Sequence, residues 1–230
     1  MSVIHRTTMS PTKHELIEAW LPGRPWYIGR GEPLLAKAGG FRLDDPQGEV
    51  GIEFMVVTDS GAGASGADSA ADGPVAYLVP VTYRGAPLDG AGHGLIGTAE
   101  HGVLGRRWVY DGVHDPVLVG RLVALVLGEA IPQRQSESNA SDPTVASAFT
   151  GDGLAATTPP TAITEGPRST DLVVPTAAAP GAVTLRLHRV LPAAVGAPAV
   201  GHVTAPLLHP DGTTTRTPFV TVHATAPQGG

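Results

Sequence analysis

Glu49–Thr58, EVGIEFMVVT, is the stretch on which the fold turns. Val50, Ile52, Phe54 and Val56 alternate with Gly51, Glu53, Met55 and Val57, which is the period expected of a half-buried strand. Just before it, Phe41 to Leu43 reads as a second strand. Earlier still, Leu16, Ile17, Trp20 and Leu21 fall on one face of a helix; Ser10 is the expected cap, Pro11 suits the first turn, and Pro22-Gly23 ends it. On the other side, Ser60 to Gly73 is almost entirely Gly, Ala, Ser and Asp, the composition of a flexible hairpin loop leading to a strand over Val75–Tyr83. Val103 to Tyr110 predicts another strand of the same sheet. Asp115 then caps and Pro116 opens a helix over Pro116–Leu127, closed by Gly128 and apolar nearly all round apart from Arg121.

These elements close an α+β unit over residues 1–130. Residues 131–167 change character to Gln, Ser, Asn, Thr, Pro and Ala, and read as a flexible linker. Residues 168–230 return to short β-prone runs, Asp171–Pro175, Ala182–Leu191, His202–His209 and Thr213–Ala224, with Pro210-Asp211-Gly212 turning between the last two. This second part is expected to be a small antiparallel β unit.

Composition narrows the function. The chain has 230 residues, 30 of them Gly and 22 Pro, so long regular elements cannot fill it. A net charge of −6, with the 15 Lys and Arg residues scattered, gives no basic face for nucleic acid or an anionic membrane. The absence of cysteine excludes disulfides and thiolate chemistry. Met1 to Lys13 lacks the apolar core of a signal peptide, and the longest apolar run, Val117–Leu127, is too short to cross a bilayer. A cytoplasmic location is the expectation.

Candidate chemistry is sparse. Asp111, His114 and Asp115 lie close together, and His93 and His101 could join them only if the fold brings them near; the structural reading, with Asp115 as a helix cap and Asp111-Gly112 as a turn, outweighs a metal site. Gly61 to Gly73 has no GxxxxGK[ST] and no lysine, so it is no phosphate cradle, and no GxSxG elbow marks a nucleophile. Trp20, Trp26, Tyr27, Trp108 and Tyr110 could form a sugar-stacking platform or the seam between the first helix and the sheet, and the seam is favoured. Arg24, Arg30, Arg106 and Arg107 beside them could face an acidic partner or line a solvated edge.

Four stretches carry a family resemblance: HELIEAWLPGRPWYIGRG (His14–Gly31), GEVGIEFMVVTD (Gly48–Asp59), YLVPVTYRGAPLDGA (Tyr77–Ala91) and LIGTAEHGVLGRRWVYDGVHDPV (Leu95–Val117). In order, they resemble the maltokinase N-terminal cap, a curved antiparallel sheet with flanking helices, often likened to the cystatin fold. VTLRLHRVL (Val183–Leu191) and GHVTAPLLHPDGTTTRTPFVTVHA (Gly201–Ala224) more weakly resemble the strands of a kinase N-lobe. The resemblance implies actinobacterial α-glucan, trehalose or maltose metabolism. It places Arg186 where the kinase lobe has its ATP-phosphate lysine, and arginine is not an equivalent replacement. The stretch to Gly230 holds no catalytic loop and no magnesium-binding Asp. The expectation is therefore a non-catalytic interaction or regulatory module without cofactor or metal, partnered by an α-glucan or trehalose enzyme or by a kinase lobe. One alternative is a nucleotide-binding part of a sugar kinase, with ATP and magnesium at Arg186, completed by another polypeptide. A second is a carbohydrate-binding module using Trp20, Trp26, Tyr27, Arg106, Trp108 and Tyr110.

Overall fold

The computed structural model describes residues 8–61, 73–137, 139–151, 153–154, 159–176, 181–193, 196 and 198–224. In chain order its elements are β1 (Met9–Ser10), α1 (Lys13–Trp20), β2 (Leu35–Leu43), β3 (Gly51–Asp59), β4 (Val75–Arg84), β5 (Leu95–His101), β6 (Gly105–Asp111) and α2 (Pro116–Val126). Then follow β7 (Ala146–Phe149), β8 (Ala162–Glu165), β9 (Ser169–Pro175), β10 (Ala182–His188), β11 (Val190–Leu191), β12 (Gly201–Leu208) and β13 (Thr214–Ala224). The fold is mostly β. A curled antiparallel sheet runs β1-β5-β6-β4-β3-β2, with β11 also on β4, and a second antiparallel sheet runs β7-β12-β13-β10-β9-β8. This is the expected curved sheet with flanking helices followed by a further β unit. Among the described residues no helix is long and apolar enough to cross a membrane.

β3 departs from the half-buried expectation, because both of its faces are covered. Ile52, Phe54 and Val56 join a core with α2 and the inner faces of β10, β12 and β13. Met55 and Val57 join the opposite core with Leu16, Ile17 and Leu21 of the α1 region. Glu53, on the α1 side, is buried because Lys13 Nζ lies 2.8 Å from one of its oxygens while Tyr83 Oη donates to the other at 2.9 Å. The first core is continuous across both sheets: Phe41 stacks on Phe54 at 4.6 Å and reaches Phe219 of β13 at 6.2 Å.

Local boundaries follow hydrogen bonding more than pattern. Thr12, not Ser10, caps α1: its side chain accepts from Glu15 N while Glu15 returns a bond to Thr12 N at 2.7 Å, a capping box. Ser10 instead pairs with Glu100 in β1. β2 extends well upstream of Phe41, and its pairing shifts between Lys37 and Gly39. Gly40 sits there at φ +116°, with no room for a side chain because a Cβ would lie 2.0 Å from the Phe54 carbonyl oxygen. The expected Val103–Tyr110 strand is β6, while Val103 and Leu104 form an exposed hairpin turn from β5. Residues 62–72 of the expected Ser60–Gly73 loop lie outside the described residues. The 131–167 stretch supplies the two edge strands β7 and β8. Of its few large apolar side chains, Val145, Phe149, Leu154 and Ile163 fall where they reach the shared core, while Ile131 is exposed.

Ala182–Leu191 reads as one strand in sequence but is two. β10 pairs in the second sheet, and β11 crosses to pair with β4 of the first, Val190 opposite Tyr77. The break is at Arg189.

Candidate functional site

β4 offers one edge to two partners. Val81–Arg84 pairs with β6, and Ala76–Tyr77 pairs with β11. Between them β6 leaves at Asp111 and the chain arrives at Arg189, whose carbonyl accepts from Leu78 N at 2.9 Å. In that gap Arg189 Nη2 meets Asp111 Oδ2 at 2.6 Å, with both side chains fully buried. Arg189 Nε donates to Thr170 Oγ1 of β9 at 2.8 Å, and the guanidinium lies 4.8 Å from the Trp26 ring centroid. Trp26 Nε1 in turn donates to Glu165 Oε1 of β8 at 3.2 Å. Arg189 Nη1 and Asp111 Oδ1 are buried without a hydrogen-bond partner. One ion pair thus ties the first sheet, the Trp26 loop and the second sheet together.

Beside it, two short 3-10 turns face each other. Gly92–Gly94 carries His93, and Gly112–His114 carries His114. His93 Nε2 lies 3.0 Å from His114 Nδ1, and the rings meet edge to face. Gly94 makes this possible, since a Cβ there would stand 2.8 Å from His114 Cβ. Burial lowers the pKa of His114; the negative charge of Asp111 opposes that, and His93 and Arg189 add to it. The pair opens onto a depression of about 290 Å³ lined by Leu88, Asp89, Ala91, Pro116 and, from the second sheet, Ile163.

The residues singled out from sequence do not converge. Trp20 meets Trp26 edge-on at 5.7 Å, Arg24 lies over Trp20 at 4.8 Å, and Tyr27 packs on Tyr77 at 5.7 Å. Tyr27 Oη donates to the buried Asp59 at 3.1 Å, and burial followed by that carboxylate raises its pKa. Trp108 and Tyr110 flank Val109, which faces the α1 core, so they project from the other face of β6; Tyr110 Oη accepts from Leu88 N at 2.9 Å. Arg106 pairs with Glu100 at 2.7 Å on the surface, and Arg107 donates to the Leu104 carbonyl. Arg186 of β10 stands opposite Asp171 of β9 and makes a two-pronged bond to it, 2.8 and 2.7 Å. Asp115 caps α2 through Val117 N and holds Arg84 in a second two-pronged bond. His101 accepts from Val103 N and Leu104 N within its own hairpin, so of the two distant histidines the fold brings only His93 to His114.

Sequence reasoning passed over Arg189. The signal was there: Val183, Leu185 and Leu187 set the inward positions of β10, and the next step of two lands on Arg189. A charged residue at an inward position of an apolar strand calls for a buried partner.

The model of the maltokinase N-terminal cap domain family matches residues 20–115. The chain contains a maltokinase N-terminal cap domain. The matched cap runs from Trp20 to Asp115 and includes Trp26, His93, Asp111 and His114, together with β2 to β6. Arg189, Glu165 and Arg186 lie beyond it, so the buried ion pair joins the cap to the sheet that follows. No curated protein matches the chain.

Proposed function

We propose that this chain acts by binding rather than by phosphoryl transfer, as an interaction or regulatory module of maltose and glycogen metabolism. The cap domain is the observation that carries the reading. The environment of Arg186 supports it further. Where the resemblance implies a lysine reaching for a nucleotide phosphate, this guanidinium spends Nε and Nη2 on Asp171, a geometry that neutralises its charge within the sheet. The partner this reading favours is an α-glucan or trehalose enzyme, or a kinase lobe, docking on the cap.

The test is incubation of the chain with ATP, magnesium and maltose, glucose or glucosamine. No phosphorylated sugar is expected, and turnover above the protein-free background overturns the reading. A second measurement addresses nucleotide binding alone. Millimolar ATP with magnesium is expected to leave the melting temperature unchanged, whereas a ligand that bound the folded chain would raise it. A rise that disappears in Arg186→Ala would assign Arg186 to a nucleotide site.

A further inference from the structure

We propose that His93 and His114 form a two-imidazole binding site for a divalent transition cation, zinc, nickel or copper(II), at the seam between the cap and the second sheet. Two nitrogens bound to one tetrahedral ion at about 2.0–2.1 Å stand roughly 3.3 Å apart. The His93 Nε2 and His114 Nδ1 atoms already stand at 3.0 Å, so the ion is admitted when the two rings turn their nitrogen lone pairs from each other toward one shared point. The backbone is shaped for this contact: each imidazole sits on its own 3-10 turn, and Gly94 leaves the space that the His114 ring occupies.

The chemistry suits a borderline cation. Imidazole nitrogens favour zinc, nickel and copper over magnesium or calcium, which want oxygen. The imidazole that now donates the hydrogen bond would carry its proton on the other ring nitrogen, so metal exchanges one tautomer for another with no net proton release from the neutral pair. The charge environment is tolerant, because Arg189 is paired with Asp111, and the acidic residue Asp89 is among those lining the same depression. His93 is exposed and the depression is open, so an ion can enter and its remaining positions can take water or a donor atom of a ligand. Among the described residues no third histidine or carboxylate completes a cage, which makes this an open site of modest affinity.

The experiment titrates the full chain with copper(II), nickel and zinc near neutral pH by calorimetry, and records the copper(II) paramagnetic resonance spectrum. One equivalent of ion and hyperfine structure from two nitrogens are expected. His93→Ala and His114→Ala should each weaken binding by about tenfold or more, while His209→Ala should not. His93 lies on an exposed turn, so its variant keeps the fold and decides the matter even where His114→Ala does not fold. Binding that survives His93→Ala, or no saturable binding of any of the three ions, overturns the proposal and leaves the pair as an ordinary imidazole hydrogen bond.

Discussion

Replacing Asp111 by alanine strands the Arg189 guanidinium in the core. In the native chain that group has three supports: Asp111 Oδ2 at 2.6 Å, Thr170 Oγ1 at 2.8 Å and the Trp26 face at 4.8 Å. The variant removes the only one that cancels its charge among these three. Breaking a buried pair on one side costs about 3–5 kcal/mol, because a desolvated charge is left behind. At about 2–4 °C per kcal/mol for a chain of this size, the melting temperature should fall by roughly 10 °C. Removing both charges should cost far less. Arg189 Nη1 and Asp111 Oδ1 already lack partners, so the native pair recovers only part of its desolvation, and Asp111→Leu with Arg189→Met restores apolar contact. Thermal and urea unfolding of the wild type, both single variants and the double variant give the coupling energy. Asp111→Ala within about 1 kcal/mol of the wild type, or a coupling energy near zero, would refute the view that this pair holds the cap to the second sheet.

Three further outcomes follow from the local geometry. Thr12→Ala should cost about 1 kcal/mol, read as a small drop in melting temperature, because it removes the cap hydroxyl that accepts from Glu15 N. Gly40→Ala should destabilise by several kcal/mol, or prevent folding, since the new Cβ would overlap the Phe54 carbonyl at a φ of +116°. His188 has its pKa lowered to about 4, first by burial and then by Arg186 and His223. Its folded value lies below its unfolded one, so the unfolded chain binds the proton first. Stability should decline as pH falls from about 6.5 toward 4, and His188→Gln should flatten that decline in denaturant melts. A proton NMR titration placing His188 at its ordinary value would contradict the assigned environment.

Much of the first sheet was legible because its strands obey period two and its second helix carries its own signals, Asp115 and Pro116. The details that failed share one cause. A strand pattern reports which residues prefer burial, and not which neighbour buries them. β3 looked half-exposed because Gly51 and Glu53 dilute one face, yet α1 covers that face and Lys13 neutralises the glutamate. The 131–167 stretch looked like linker because its large apolar residues are few, yet Val145, Phe149, Leu154 and Ile163 each reach a core already supplied by the rest of the chain. The candidate site suffered in the same way. Trp26 and Trp108 belong to opposite faces of one sheet, which no spacing reveals, and His93 and His114 meet only because two turns at distant strand ends are adjacent in space.

The sequence by itself determined the cap: its order of aromatic, glycine and apolar positions encodes local strand and helix preferences that survive without knowledge of the partners. Only the tertiary structure decided that Ala182–Leu191 changes sheets at Arg189 and that Asp111 is its counter-charge. Burial of an ion pair depends on two residues 78 positions apart arriving in one gap along β4. That meeting is a property of how the sheets pack, and neither residue's neighbours along the chain contain it.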